Sequence, residues 1–361
     1  MRRIVWVKTF IFLSLMSIVN VADACTGITL KTKSGQTIVA RTIEWAGSAL
    51  NSEYVVVPRR YNQQSYLPGM KQEGMQFCSK YGYVGLSVES HEFVVEGLNE
   101  KGLSVGLFYF PHYGSYPQVL DKNKPFTISD LQFVSWLLGQ CADVSEVKEA
   151  LKDIHICAVD PRASTVHWRV ADRNGNQIVI EVVDGKVFVY DNPVGVLTNS
   201  PGFSWHMTNL ANYINLSAGT TQTKTINEMK VNSIGSGSNM LGLPGDFTPP
   251  SRFIRAALFA TSAPVLSDSH STILEAFHIL NNFDIPIGAQ FANASQIPDI
   301  PSATQWTTAT DLSGLKIYYR TMYNSHIRMI DLNKINFSTV HYRSIPLDIK
   351  KVEPIEEIPI K

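Results

Sequence analysis

The residue with the clearest chemical potential is Cys25, which directly follows the small-residue sequence Ala22-Asp23-Ala24. If a leader ends at Ala24, Cys25 becomes the first residue of the mature chain and carries both a thiol and a free α-amine. An α-amine has an ordinary pKa of about 7.7–8.0, so part of it is neutral at physiological pH and can accept a proton. A thiol beside such a base is an activated nucleophile. The sequence therefore predicts covalent catalysis through Cys25.

Residues 1–24 have the organisation of a secretory signal peptide. They combine a basic start, a mostly apolar run over 9–19 and small residues before the expected cleavage point. The apolar run is short for a membrane span. We expect cleavage after Ala24 and a secreted or periplasmic mature protein without stable membrane insertion.

The charge balance of the chain argues against several classes of partner. The 361 residues contain 31 basic and 31 acidic side chains. Removing residues 1–24 takes away three basic residues and one acidic residue, which leaves 28 against 30 and a net charge of −2. We therefore expect no nucleic-acid partner and no basic face for anionic lipid.

The four cysteines are Cys25, Cys78, Cys141 and Cys157, and their spacing contains no CxxC pair. This spacing does not favour a zinc site, and we expect no metal. In an oxidising compartment two of the last three could pair, but buried free thiols are an equal alternative.

The first elements of the mature chain bring charged residues towards Cys25. Two β-prone runs flank the turn at residues 33–35 and predict a hairpin, which sets Cys25 opposite Ile43 or Glu44. Glu44 could then accept a hydrogen bond from the α-amine, and Arg41 would lower the pKa of the thiol. The alternative, a surface ion pair on an edge hairpin, remains open on spacing alone.

The pattern along the rest of the chain predicts an α+β fold. We expect strands at 25–31, 36–43, 54–58, 83–87, 92–97, 103–110, several within 165–197, then 305–311, 316–321 and 327–331, and helices from 129, over 144–154, from 251 and over 269–283. This order favours antiparallel sheets with helices on their outer faces. We expect one catalytic domain over 25–332, followed by an extended tail over 333–361 that packs on it or trails from it.

Two later polar residues have both structural and functional explanations. Asn199 ends a strand-like run before a turn, where it could point into a cleft or cap the turn. Arg252 lies in the first turn of a predicted helix, where the helix dipole disfavours a cation. Such a position suggests another role, although arginines are common at exposed helix ends.

Several motifs together resemble the choloylglycine hydrolase family, which includes bile salt hydrolases and penicillin V acylases. The resemblance covers nearly the whole mature chain, and the motifs that carry it are Cys25-Thr-Gly, Ala40-Arg-Thr-Ile-Glu-Trp45, Glu96-Gly-Leu-Asn-Glu-Lys-Gly-Leu103, Asp191-Asn-Pro-Val-Gly-Val-Leu-Thr-Asn-Ser-Pro201, Leu243-Pro-Gly-Asp-Phe247, Ser251-Arg-Phe253 and Gln305-Trp-Thr307. It implies an N-terminal-nucleophile hydrolase with an αββα sandwich, that is, two antiparallel sheets flanked by helices. It also implies a homo-oligomer, a homotetramer in the family.

The resemblance assigns roles to six residues. Cys25 is the nucleophile, Arg41 is the guanidinium beside it, and Glu44 stands where many members have an aspartate that holds the α-amine. Asn199 and the backbone N–H of Tyr109 bind the oxyanion. Arg252 is a second arginine that orders the site. Tyr109 stands where bile salt hydrolases usually carry asparagine and some penicillin V acylases carry tyrosine.

The expected activity is hydrolysis of a linear amide C–N bond through an acyl-enzyme, without a cofactor. Candidate substrates are penicillin V, conjugated bile salts and N-acyl-homoserine lactones. We expect the acyl group to be apolar, because aromatic side chains could line its pocket. These are Trp45, Phe108, Phe110 and Trp205, beside Tyr109.

Two rival interpretations remain. A cysteine after a leader is also what lipidation requires, so the chain could be a lipidated envelope binding protein without catalysis. Lipoprotein signals usually carry leucine three residues before the cysteine, where this chain has Ala22. A cysteine hydrolase with a separate histidine base is the weaker rival, because none of the nine histidines lies in a recognisable cysteine-protease motif.

Overall fold

The computed structural model describes residues 24–45, 47–160, 164–290 and 300–360. The predicted signal peptide therefore lies outside the described residues, apart from Ala24. No described helix is both long enough and apolar enough to cross a membrane.

The described residues form strands and helices in a mixed order along the chain. The strands are β1 (Ala24–Lys31), β2 (Thr37–Glu44), β3 (Glu53–Val57), β4 (Asn62–Gln64), β5 (Gln76–Cys78), β6 (Tyr83–Val88), β7 (Ser90–Asn99), β8 (Ser104–Tyr109), β9 (Thr127–Ser129), β10 (His155–Cys157), β11 (Val166–Ala171), β12 (Gln177–Val183), β13 (Lys186–Asp191), β14 (Lys224–Ile226), β15 (Met229–Val231), β16 (Thr304–Asp311), β17 (Lys316–Thr321), β18 (Asn324–Asp331) and β19 (Arg343–Pro346). The helices are α1 (Phe133–Gln140), α2 (Val144–Ala150), α3 (Phe203–Leu210), α4 (Pro249–Ser262), α5 (Ser269–Leu280) and α6 (Ile287–Gln290).

Two antiparallel sheets form the centre of the molecule. The five-stranded sheet has the order β1-β2-β16-β17-β18, and the eight-stranded sheet has the order β13-β12-β11-β8-β7-β6-β3-β19. Helix α1 packs on β7 and β8, whereas α4 and α5 pack on the five-stranded sheet. The layers are therefore helix, sheet, sheet and helix, and the predicted α+β sandwich of the αββα type is confirmed.

Two central strands of the eight-stranded sheet are buried on both faces. Every residue of β11 is buried, and β8 is buried from Ser104 to Phe108. Each face of these strands meets another layer, so both sets of alternating side chains contribute to the core. The charged residues in these strands consequently need buried partners.

The start of one predicted helix differs from the structure. The helix expected from Ser129 begins at Phe133, because residues 127–129 instead pair with 155–157 as a short parallel ladder. The segment after Leu332, for which we expected an extended tail packed on the domain or trailing from it, contains β19, which pairs with β3 at the edge of the eight-stranded sheet. Residues 351–360 beyond it are exposed.

Candidate active site

The hairpin of β1 and β2 sets the position of Cys25. The turn between the strands contains Gly35 at φ +83°, a left-handed conformation that glycine adopts without steric cost. The resulting register pairs Cys25 with Ile43, one of the two partners that the sequence allowed, and Gly27 with Arg41. Residues paired in this way project to the same face. The Cys25 and Arg41 side chains therefore share the face that meets the eight-stranded sheet.

The segment that carries Asn199 runs beside β1. Gly27 N donates to Leu197 O at 2.7 Å, and Leu197 N donates to Gly27 O at 3.1 Å. A Cβ on Gly27 would lie 2.8 Å from Cζ of Phe108, so only glycine allows the ring to approach. The pairing of Gly27 with Leu197 brings Asn199, two residues further along, next to Cys25.

Asn199 contacts the backbone nitrogen of Cys25. Its Oδ1 accepts from Cys25 N at 2.8 Å and from Nη2 of Arg252 at 2.7 Å. Its Nδ2 donates to Tyr109 O at 2.8 Å. These partners fix the orientation of the amide, because the donors lie on one side and the carbonyl on the other. One of the two Nδ2 hydrogens is used in this way.

The thiol of Cys25 is buried between the two sheets. Burial raises the pKa of the Cys25 thiol, and this effect exceeds the opposing influences of the Arg41 guanidinium and of the Tyr109 backbone N–H, which donates to the sulfur. Arg41 lowers the thiol pKa, as expected, but its effect is smaller than that of burial, so the net shift of the pKa is upward. Loss of hydration outweighs the nearby positive charge.

Arg41 is completely buried beside the thiol. Its Nη1 donates to Leu107 O at 2.5 Å, and its guanidinium carbon lies 4.1 Å from the centre of the Phe108 ring. Glu96 approaches Nη1 at 3.6 Å and also accepts from Nη2 of Arg169 at 2.6 Å. The Glu96 carboxylate thus links two buried arginines. Arg41 is therefore not part of a surface ion pair, the alternative that the sequence had left open.

Sequence reasoning alone did not identify Glu96 and Arg169 as residues of the site. The available signal was a charged residue inside an apolar strand-like run, since Glu96 follows Val94-Val95 and Arg169 follows Trp168. Charged residues are rarely buried unless they are paired.

Glu44 lies on the other face of the five-stranded sheet. It pairs with Ala24 in β1, one residue from Cys25, and Oε1 accepts from Oγ1 of Thr304 at 3.4 Å. Oε2 has no hydrogen-bond partner among the described residues. Burial raises the pKa of Glu44 to about 7, although the positive charge of Arg252 opposes this shift. In the chain that still carries Ala24, the nitrogen of Cys25 is held by Asn199 rather than by Glu44.

Arg252 connects several parts of the site. It lies in the first turn of α4, and its side chain extends towards the start of the helix. Nη1 donates to Cys25 O at 2.6 Å and to Oγ1 of Thr26 at 2.8 Å, and Nε donates to Phe247 O at 2.8 Å. The guanidinium therefore binds Cys25 and Asn199 simultaneously, and the structural alternative of an exposed helix end is wrong.

The loop before α4 supports Arg252. Asp246 accepts from the hydroxyl groups of Thr248 and Ser251, and these hydrogen bonds, that of Ser251 first, lower the pKa of Asp246 to about 2. Arg255 donates to Asp246 O at 2.6 Å. The sequence motif containing Asp246 was recognised, but its supporting role was not.

The four predicted pocket residues have different environments. Phe108 and Phe110 are completely buried, and Phe110 stacks on His167 with ring centroids 4.5 Å apart. Trp45 is half-buried, whereas Trp205 is 45% exposed on α3. The prediction that Phe108 and Phe110 line a substrate pocket is contradicted. Alternation along β8 separates them from Tyr109, and both project into the core.

A cavity of about 620 Å³ lies beyond the end of β8. Its lining includes His112, Tyr116 and Thr165 but none of the predicted site residues.

The structure describes all four cysteines and pairs none of them; Cys141 and Cys157 are buried and Cys78 is exposed. No cluster of three or more potential metal ligands occurs among the residues that the structure describes.

Known proteins resemble this chain over most of its length. The model of the linear amide C–N hydrolases, choloylglycine hydrolase family, matches residues 25–345. A bile salt hydrolase/transferase of Clostridium perfringens is 34% identical over 319 residues, which cover 86% of this chain and 93% of the relative. A penicillin V acylase of Pectobacterium atrosepticum is 24% identical over 86% of this chain and 81% of its own length.

A solved structure extends the similarity to the fold. The crystal structure of a mutant conjugated bile acid hydrolase from Clostridium perfringens superposes with a TM-score of 0.79 at 30% identity. The superposition covers 93% of this chain and 100% of that chain. The match to the family model begins at Cys25. The chain belongs to the choloylglycine hydrolase family of linear amide C–N hydrolases.

Proposed function

We propose that residues 1–24 direct secretion and are removed, and that the mature enzyme hydrolyses linear amides through an acyl-enzyme on Cys25. The observation that carries this proposal is the environment of Cys25. Its nitrogen is held by Oδ1 of Asn199 at 2.8 Å, and its sulfur receives the backbone N–H of Tyr109. After cleavage the nitrogen becomes an α-amine, a base already fixed beside the thiol.

Acylation follows from these positions. Because burial raises the pKa of the thiol, Cys25 rests as a neutral thiol and loses its proton during attack on the carbonyl. The α-amine accepts that proton, directly or through a water molecule. The Tyr109 N–H and the second Nδ2 hydrogen of Asn199 then donate to the oxyanion, each interaction being worth roughly 3–4 kcal/mol.

Collapse of the tetrahedral intermediate completes acylation: the protonated α-amine donates its proton to the leaving nitrogen as the C–N bond breaks, which leaves a thioester on Cys25. In deacylation the free amine takes a proton from the water molecule that attacks the thioester and returns it to the sulfur as the C–S bond breaks. Glu44 is paired with Ala24, the residue whose removal creates this amine, and its Oε2 lacks a partner among the described residues. We propose that Glu44 accepts a hydrogen bond from the amine in the mature enzyme. A nearby ammonium would lower the pKa of the Glu44 carboxyl from its present value of about 7.

An apolar acyl group suits the surroundings of the thiol. Ile43 is paired with Cys25, and Trp45 follows directly after β2. Trp205 provides an exposed aromatic surface on α3. The named activities of its relatives support conjugated bile salts and penicillin V as candidate substrates. N-acyl-homoserine lactones, which carry an apolar acyl group on a linear amide, are the third candidate that we propose.

The substrate class is tested with protein whose mature N-terminus has been verified. Release of glycine or taurine from conjugated bile salts, of 6-aminopenicillanic acid from penicillin V and of homoserine lactone is measured beside Cys25→Ala. We expect one class to be hydrolysed by the wild type and none by the variant. Absence of hydrolysis of all three classes by the folded mature protein would overturn the proposed substrate set.

The lipoprotein alternative predicts a different intact mass for the exported protein. A diacylglyceryl group on sulfur would have to displace Cys25 from the contact with Tyr109, because the side chain is only 4% exposed. We therefore expect secreted protein to begin at unmodified Cys25 by intact-mass analysis. An acylated Cys25, or a start at another residue, would support the rival account.

We also propose a homo-oligomer, with a homotetramer as the form expected from the family. The supporting feature is an arm over residues 214–241 that contains the β14–β15 hairpin and exposes apolar side chains, including Ile234 at 99% and Leu241 at 86%. Such surfaces are common at protein interfaces. Light scattering coupled to size-exclusion chromatography tests the assembly, and a monomer at micromolar concentration would overturn it.

A further inference from the structure

Two buried histidines hold the segment that carries Asn199. Nε2 of His167 lies 3.0 Å from Thr198 O, and Nε2 of His206 lies 2.8 Å from Asn199 O. A carbonyl oxygen can only accept a hydrogen bond, so each Nε2 must carry a proton. Two successive backbone carbonyls are therefore bound by two separate side chains.

The ring of His206 is fixed by packing. It stacks on Phe253 of α4 with centroids 4.7 Å apart and planes inclined by 11°. It has no exposed surface, and burial lowers the pKa of His206 to about 4. The imidazole thus stays neutral at physiological pH, with its proton on Nε2 directed at Asn199 O. Nδ1 has no hydrogen-bond partner among the described residues.

The ring of His167 is fixed by packing and by a carboxylate. It stacks on Phe110 with centroids 4.5 Å apart and planes inclined by 7°. Its Nδ1 lies 3.2 Å from Oε1 of Glu181, and the same oxygen accepts from Phe203 N at 2.8 Å. Glu181 therefore links the His167 ring to the first residue of α3, the helix that carries His206.

We propose that His167 and His206 are positioning residues that hold Asn199 against the nitrogen of Cys25 and the guanidinium of Arg252. This inference rests on the proposed function, because Asn199 is there assigned to the reaction. Neither histidine is proposed to touch the substrate. Their hydrogen bonds fix the backbone from which Asn199 extends, and a displacement of about 1 Å in a catalytic group can reduce the rate by roughly a hundredfold.

The hydrogen bond is separated from packing by paired variants at each position. Phenylalanine retains a stacked ring but removes the donor, whereas glutamine places an amide N–H near the original Nε2. We expect His206→Phe and His167→Phe to lower kcat by roughly ten- to a hundredfold with little change in KM. The corresponding glutamine variants should recover most of that loss. The exposed His278 on α5 provides the control, and His278→Phe should retain wild-type kcat.

A second readout is independent of the substrate. The pH profile of Cys25 alkylation by iodoacetamide reports the protonation of the thiol and its neighbouring amine. We expect the phenylalanine variants to displace this profile and the glutamine variants to restore it. If the wild type hydrolyses no amide, the proposed function fails, but the alkylation profiles still decide whether the histidines position the site.

Wild-type kcat and an unchanged alkylation profile in both phenylalanine variants would overturn the proposal, as would equal losses in the glutamine and phenylalanine variants. Should a phenylalanine variant fail to fold, ¹⁵N-histidine NMR of the otherwise native Cys25→Ala protein tests the same hydrogen bonds. We expect both Nε2 atoms to be protonated at neutral pH. An unprotonated Nε2 on His206 or His167 would also overturn the proposal.

Discussion

Replacement of Arg252 by lysine tests whether one guanidinium organises the active site. Arg252 donates from three different nitrogens to Phe247 O, Cys25 O, Oγ1 of Thr26 and Oδ1 of Asn199, at 2.6–2.8 Å. A lysine nitrogen in the place of Nη1 would keep the contacts with Cys25 and Thr26 but lose the other two. Two charge-assisted hydrogen bonds of about 1.5–3 kcal/mol each would then be removed, which predicts about 3–6 kcal/mol of destabilisation.

The same substitution should reduce catalysis. Without Nη2, Oδ1 of Asn199 keeps only the Cys25 nitrogen as a partner, and the amide becomes free to shift. We expect Arg252→Lys to lower kcat by roughly a hundredfold at a temperature where it remains folded. Unfolding in urea and steady-state kinetics at that temperature measure the two effects separately.

Arg255 provides a matched control for this experiment. It lies one turn later on α4, is also buried, and donates to Pro244 O at 2.7 Å and Asp246 O at 2.6 Å without contacting Cys25 or Asn199. Both hydrogen bonds come from Nη1, so a lysine nitrogen in that place would keep them. Arg255→Lys should therefore lower the free energy of unfolding less than Arg252→Lys does, and it should leave kcat within about threefold of the wild type. Equal losses of kcat in the two variants, or a wild-type kcat in Arg252→Lys, would refute the reasoning.

Three further predictions follow from individual contacts. Gly27→Ala should cost about 1–3 kcal/mol in urea unfolding, because its Cβ would lie 2.8 Å from Cζ of Phe108, and an unchanged midpoint would contradict this. Burial raises the pKa of Asp130 from its ordinary value of 3.8 to about 7, so its stabilising contribution is complete below pH 3.8 and is lost as the pH rises through about 7. The wild-type unfolding free energy should therefore fall by up to about 4 kcal/mol across that window while Asp130→Asn shows a flatter profile, and equal slopes would exclude this origin. Asn199→Ala should lower kcat by roughly 10²–10³ with little change in KM, whereas an effect on KM alone would assign Asn199 to ground-state binding.

The sequence predicted those parts of the site that depend on local geometry. The turn at residues 33–35 predicted the register of β1 and β2 to within one residue, with Ile43 or Glu44 opposite Cys25, and the structure has Ile43 there. The position of Arg252 in the first turn of a helix was also correct. Local rules suffice here because a short hairpin and a helix start leave few alternative arrangements.

The remaining features depend on contacts between distant segments. The net rise in the pKa of the Cys25 thiol results from burial between two sheets, which no local motif specifies. Phe108 and Phe110 were assigned to a pocket because the sequence could not show that β8 is covered on both faces. The roles of Glu96 and Arg169 could be assigned only from the structure, in which β7 and β11 place them beside Arg41.

The central claim is that Cys25 is both the mature N-terminus and the nucleophile. The most direct measurement is acid quenching during turnover of a hydrolysed amide, followed by intact-mass analysis and peptide mapping. The account predicts a transient acyl group on the sulfur of a peptide that begins at Cys25 with a free α-amine, and no such adduct in Cys25→Ala. Amide hydrolysis that persists in pure Cys25→Ala protein, or an acyl group found on another residue, would contradict it.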